Sequence, residues 1–119
     1  HTVILGDQSF LYDHNALYAR ELPQNLTICI LNNGIGGIFD WLPGTATTGA
    51  KARKIFANAQ QVDLASLVKG FQVAYVGVKN EEELATALTS VKGLTVIDCK
   101  TEQSMNLSAL KIMQEHGQA

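Results

Sequence analysis

Leu26-Thr27-Ile28-Cys29-Ile30-Leu31-Asn32-Asn33-Gly34 is the stretch that decides the fold. Its first six residues carry no charge, three of them are β-branched, and the run stops at a turn-forming Asn-Asn-Gly. An apolar run without polar alternation predicts a strand buried on both faces, the situation of a strand inside a parallel sheet. Upstream, Thr2-Val3-Ile4-Leu5 is a second short apolar strand, stopped by Gly6-Asp7. Between the two strands, Ala16, Leu17 and Arg20 stand at helical spacing, which predicts a helix over 13–21 that Pro23 ends near Leu22.

Downstream, residues 35–42 fit a short helix closed by Pro43-Gly44, followed by a small-residue loop over 43–50 and an undecided stretch over 51–61. The Gly, Ala and Thr content of 43–61 predicts a segment that is mobile without ligand. Asp63 is placed to cap a helix carrying Leu64, Leu67 and Val68 inward, with Gly70 as its stop. Residues 73–78 read as a strand. Asn80 and Glu83 form a capping-box pair opening a helix with Leu84, Leu88 and Val91 inward and Gly93 after its end. Residues 94–99 read as the last strand, and Leu107, Leu110 and Met113 suggest a closing helix. Strands alternating with helices give an α/β class: three layers, a mostly parallel sheet with helices on both faces.

Composition narrows the function. The chain has 119 residues, enough for one packed domain, and 46% of them are hydrophobic, above the range of disordered chains. Nine Lys+Arg against eleven Asp+Glu give a formal charge of −2 with no basic run, so neither nucleic acid nor an anionic membrane is an expected partner. There is no apolar stretch of membrane-spanning length, and a cytoplasmic location is expected. Cys29 and Cys99 have no CxxC spacing; they read as small buried hydrophobes.

In parallel sheets ligands bind beyond the carboxyl ends of the strands. Two loops stand there: Gly6-Asp7-Gln8-Ser9, which holds a carboxylate, and Asn32-Asn33-Gly34-Ile35-Gly36-Gly37, with two amides and three glycines. A hard divalent cation takes carboxylate, amide, backbone carbonyl and phosphate oxygens. Asp7 and Asn33 offer two such ligands and a carbonyl of the glycine loop a third, while glycines let backbone approach a phosphate closely. If the first two strands are neighbours, the implied site holds a Mg²⁺-bridged diphosphate. Taken singly, each loop reads better as an ordinary turn, because Gly, Asn and Asp dominate turns.

Gly6-Asp7-Gln8, followed after residues 9–32 by Asn33, resembles the GDG…N motif of thiamin-diphosphate enzymes. Gln8 stands where that motif usually has its second glycine. The longer stretches, Gly6 to Leu17 and Asn32-Asn33-Gly34-Ile35-Gly36-Gly37-Ile38-Phe39-Asp40-Trp41-Leu42-Pro43, are similar to one branch of that family. The branch comprises the 2-succinyl-5-enolpyruvyl-6-hydroxy-3-cyclohexene-1-carboxylate synthases of menaquinone biosynthesis. The resemblance covers about residues 2–100.

The resemblance implies that Asp7, the Asn33 side chain and the Ile35 backbone carbonyl bind Mg²⁺ or Mn²⁺. It places Gln8, Ser9, Gly36 and Gly37 along the diphosphate, and Ile38, Phe39 and Leu42 on an apolar wall where thiazolium and substrate meet. It implies a transferase (carboligase) that decarboxylates 2-oxoglutarate and adds the resulting carbanion to isochorismate. It further implies a homodimer or homotetramer whose other domains supply the activating Glu. Residues 1–119 are then expected to be the C-terminal portion of a pyrophosphate-binding domain, with no catalytic residue of their own and no activity in isolation. The alternatives are another thiamin-dependent decarboxylase or carboligase, or a non-catalytic α/β domain that binds a nucleotide or a protein. Trp41 reads better as core than as pocket wall. His14 reads as a partly solvated helix residue, Glu81-Glu82-Glu83 as a solvated first turn, and Lys51, Arg53 and Lys54 as an exposed loop rather than a lid for carboxylate substrates.

Overall fold

The apolar run becomes strand β2 (Thr27–Asn32), which lies between β1 (Thr2–Gly6) and β4 (Thr95–Lys100), with β3 (Ala74–Val78) beyond β4. All pairings in this four-stranded sheet, β1-β2-β4-β3, are parallel. The computed structural model describes residues 1–40, 44, 49–59 and 61–116, the side chains of Asp40, Arg53, Gln103 and Leu107 excepted. Connecting the strands are α1 (Asp7–Asp13), which runs into a 3₁₀ turn (His14–Tyr18), and a second 3₁₀ turn (Gly37–Asp40) after β2. These are followed by α2 (Ala50–Ala57), α3 (Leu64–Gly70), α4 (Glu81–Ser90) and α5 (Gln103–His116).

Side chains alternate across a strand, so each strand feeds two layers. On one face Ile28, Ile30 and Val96 pack with Phe10 of α1, Leu17, and Leu64 and Val68 of α3. On the other, Cys29, Val78, Ile97 and Cys99 pack with Leu84 and Ala87 of α4. The three-layer α/β expectation therefore holds, and both cysteines are buried free thiols whose pKa burial pushes up. Burial of β2 on both faces is not uniform. Leu31 keeps 52% exposure and Ile4 of β1 keeps 66%, because α4 packs over β3 and β4.

Several local expectations change. The first helix starts at Asp7, directly after β1, instead of at Asp13; Gly6 is its extended N-cap, and Phe10 is the apolar residue it buries. The stretch from Ala50 to Ala57, within the expected mobile loop, is helix α2, which ends on Asn58 at φ 42°. Leu42, Trp41 and Pro43 lie outside the described residues, as do 45–48 and Gln60. Asp63 does cap α3: its carboxylate accepts from the Ala65 N–H and the Ser66 hydroxyl. Those bonds, the Ser66 one first, hold its pKa below the usual carboxylate range. The left-handed residue after α3 is Gln72 at φ 60°, while Gly70 is the last residue of the helix.

In α4 the Asn80–Glu83 pair caps the helix, with the Glu83 N–H donating to Asn80 Oδ1 at 2.9 Å, but the Glu83 carboxylate reaches back to Asn80 Nδ2 at 3.0 Å and to the Lys79 N–H at 2.8 Å instead of to the Asn80 N–H of a capping box. Its inward residue is Ala87, and Leu88 is 46% exposed, since the helix turns its 84/87/91 line to the sheet. His14 donates its Nδ1–H to the Leu11 carbonyl at 2.6 Å and lies edge-on to Phe71, a packing role. No helix among the described residues is long and apolar enough to cross a membrane.

Ile97 is fully buried under α4. Ile97→Ala is expected to lower unfolding free energy by about 2–5 kcal/mol through the lost transfer energy and the cavity left behind. Asn80→Ala is expected to cost about 1 kcal/mol. Urea denaturation compares the two, and an Asn80→Ala loss equal to that of Ile97→Ala would contradict this ranking.

Candidate functional site

Parallel pairing of β1 and β2 sets Gly6 opposite Leu31, so the two chains leave the sheet side by side. Asp7 follows at once as the first residue of α1 and is 3% exposed. One oxygen of its carboxylate accepts the Gln8 N–H at 2.9 Å. Asn33 leaves β2 in a pair of side-chain-closed turns: Asn32 Oδ1 accepts the Gly34 N–H at 3.1 Å, and Asn33 Oδ1 accepts the Ile35 N–H at 3.2 Å. Gly34 sits at φ +74°, a conformation that L side chains rarely adopt, so glycine makes this turn without strain. The Ile35 carbonyl accepts the Gly37 N–H at 2.9 Å.

A cavity of about 600 Å³ opens at this edge. Asp7, Gln8, Ser9, Asn33, Ile35, Gly36, Gly37 and Ile38 all line it. Thus eight of the ten residues singled out from sequence come to one place. Phe39 is not among the lining residues; it is half-buried and meets Phe56 of α2 with ring centroids 5.8 Å apart. Leu42 is outside the described residues.

Sequence reading missed the far wall and the back of the site. Asn106, Ala109, Leu110 and Met113 of α5 close the cavity opposite the loops, together with Thr101. Behind the loops, Gly36 donates its N–H to the Ala57 carbonyl, and a Cβ at Gly36 would stand 3.2 Å from that oxygen and 3.3 Å from the Phe39 ring. Gln8 and Asn58 exchange bonds at 3.1 Å each way, Gln8 Nε2 to the Asn58 carbonyl and Asn58 Nδ2 to Gln8 Oε1. The end of α2 is therefore fastened to both candidate loops. The signal for it, a left-handed Asn after an amphipathic run, is too common to use alone.

One network was also unread. Asp98, in the middle of apolar β4, is 1% exposed; it accepts from Asn32 Nδ2 at 2.9 Å and from the Tyr75 hydroxyl at 2.6 Å. Burial, reinforced by that bond to Asp98, pushes the Tyr75 phenol above its ordinary range and keeps it a donor. A carboxylate inside an apolar strand was the available signal, since a buried charge demands partners.

The donors suit a hard cation. Residues carrying a carboxylate (Asp7), an amide oxygen (Asn33) and a backbone carbonyl (Ile35) line one cavity, the oxygen types that a hard cation takes. Among the described residues no group of three or more His, Cys, Asp or Glu side chains gathers, so the soft-donor cluster of a zinc or copper site is not formed there. Gly36 and Gly37 leave bare backbone on the same wall.

The family described as "Thiamine pyrophosphate enzyme, C-terminal TPP binding domain" matches residues 1–99. A 2-succinyl-5-enolpyruvyl-6-hydroxy-3-cyclohexene-1-carboxylate synthase of Oceanobacillus iheyensis is 34% identical over 112 residues, 89% of this chain and 19% of that protein. Synthases of the same name from Chlorobaculum parvum and Flavobacterium psychrophilum are 35% and 38% identical, over 89% and 72% of the chain. The chain spans less than a fifth of the length of these relatives.

Gly36→Val is expected to push α2 off the loop and destabilise the protein by about 1–3 kcal/mol, as overpacking does. The readout is the urea midpoint, and an unchanged midpoint would show that the Gly36–Ala57 approach is not tight.

Proposed function

Because this chain belongs to the thiamine pyrophosphate enzymes, through their C-terminal TPP-binding domain, we propose that it carries the Mg²⁺ and thiamin diphosphate site of a 2-succinyl-5-enolpyruvyl-6-hydroxy-3-cyclohexene-1-carboxylate synthase. The enzyme on this reading is a carboligase that joins 2-oxoglutarate, after loss of CO₂, to isochorismate. The observation that carries it is the convergence of Asp7 and Asn33 on one cavity through the β1–β2 register, with the Gly36-Gly37 backbone beside them. The likeness of the chain to synthases of that name supports the substrate assignment.

Each residue then has a task. Asp7 and the Asn33 amide oxygen hold the cation, Mg²⁺ or Mn²⁺, and the Ile35 carbonyl is the third protein ligand. Gln8, Ser9, Gly36 and Gly37 meet the diphosphate through polar side chains and bare backbone. For Gln8 this means exchanging its bonds to Asn58 for the ligand. Ile38 keeps water from the reacting end, and Leu110 and Met113 extend that apolar wall. Bound thiamin diphosphate supplies the electron sink for decarboxylation; the protein supplies binding, orientation and exclusion of water.

Residues 1–119 form the C-terminal portion of the cofactor-binding domain and act with the remaining domains of a longer enzyme, in a homodimer or homotetramer. Other domains provide the carboxylate that activates the cofactor, so this stretch alone has no turnover.

Calorimetry on the intact polypeptide is expected to show thiamin diphosphate binding that disappears when EDTA removes the metal. Asp7→Ala is expected to weaken it by at least about 100-fold, the loss of a charged ligand held in a buried site. Binding unchanged in Asp7→Ala would refute the metal assignment. Residues 1–119 alone are expected to yield no product from 2-oxoglutarate and isochorismate, and turnover from them would refute the division of labour.

A further inference from the structure

Asn32 and Asn33 are adjacent, but they do different work. Every polar group of the Asn32 side chain is committed: Oδ1 accepts from the Gly34 N–H and Nδ2 donates to Asp98 Oδ1 at 2.9 Å. Its backbone carbonyl accepts from the Thr101 N–H at 2.8 Å. Asn32 is thus a pivot fixed to β4 on one side and to the turn carrying Asn33 on the other.

Asp98 is held in its turn. The Tyr75 hydroxyl occupies its second oxygen at 2.6 Å, so the carboxyl group cannot swing away from Asn32. Tyr75 lies opposite Val96 in the register, two residues back from the Gly77–Asp98 pair, so its ring must cross Gly77 to reach Asp98. The ring passes over the bare backbone of Gly77, where a Cβ would make an ordinary contact with the Tyr75 hydroxyl at 3.5 Å. The chain Tyr75–Asp98–Asn32 therefore ties β3, β4 and β2 together at the ends from which the candidate loops depart. Asp98 does not line the cavity. A buried carboxyl costs more than an apolar side chain of similar size unless its geometry is put to use. Its geometry is used here to aim a single amide.

We propose that Asp98 is a positioning residue for the cation site: held by Tyr75 across Gly77, it fixes Asn32 and so the orientation of the Asn33 amide oxygen toward the metal. This inference rests on the reading of Asn33 as a metal ligand. Partners of ligand-bearing groups tune metal affinity by about 10–100-fold, and Asp98 acts one step further back, through Asn32.

The test is calorimetric titration of the intact polypeptide with Mg²⁺ and thiamin diphosphate, with a ligand-free thermal melt of each variant. Asp98→Ala is expected to raise the dissociation constant by about 10-fold or more. D98N still offers Asn32 an acceptor and is expected to recover most of that loss, while Tyr75→Phe raises the constant by about threefold. Saturating Mg²⁺ restores turnover in D98A, so the defect lies in apparent affinity and not in kcat. A D98A protein that melts earlier but binds as tightly as wild type would overturn the proposal and leave Asp98 a strut of the sheet. Should D98A not fold, Y75F decides, and wild-type affinity in Y75F overturns it. Wild-type protein that binds no thiamin diphosphate with Mg²⁺ would sink the functional reading itself, a different result from equal binding by wild type and variants.

Discussion

The structure depends on the parallel pairing of β1 with β2. In a parallel ladder both chains leave at the same edge, and here Gly6 opposite Leu31 delivers Asp7 and the Asn32-Asn33 turn to that edge together. A slip of one residue would reverse the face of each β2 side chain, carrying Ile28 and Ile30 out of the core beneath α1 and α3. Packing therefore holds the register, and the register holds the site. The hydrophobic core and the cavity are consequences of one alignment.

The site is built so that rigid sheet ends carry the charged and amide oxygens, while glycine-rich backbone makes the close approaches. Asp7 is buried at the start of a helix and Asn33 is set by a turn whose neighbouring residue is anchored to β4. Gly34 and Gly36 serve different purposes: the first takes a left-handed conformation, the second avoids crowding the end of α2 and the Phe39 ring. The fastening of α2 through Gly36, Gln8 and Asn58 means that a diphosphate at the loops competes with protein partners for the same donors.

Much of this was legible in the sequence. The uncharged β2 run predicted a central parallel strand, the Asn80–Glu83 spacing predicted the helix cap, and Asp7 with Asn33 marked the two sheet-end loops. What escaped was of two kinds. Local boundaries failed where tertiary contacts outweigh propensity: α1 begins at Asp7 because Phe10 has a core to enter, and α2 exists although 50–57 carries no strong cap. Long-range partners failed because spacing holds no record of strand order. Asp98 meets residues 23 and 66 positions away only because β4 is inserted between β2 and β3.

The most direct test of the account is the position of the metal. A crystal structure of the intact polypeptide with thiamin diphosphate and Mn²⁺, phased at the manganese edge, is expected to show the anomalous peak between Asp7 and the Asn33 side-chain oxygen. Both distances should be near the ~2.1 Å typical of such octahedral sites. A peak away from both residues, with the diphosphate elsewhere, would contradict it.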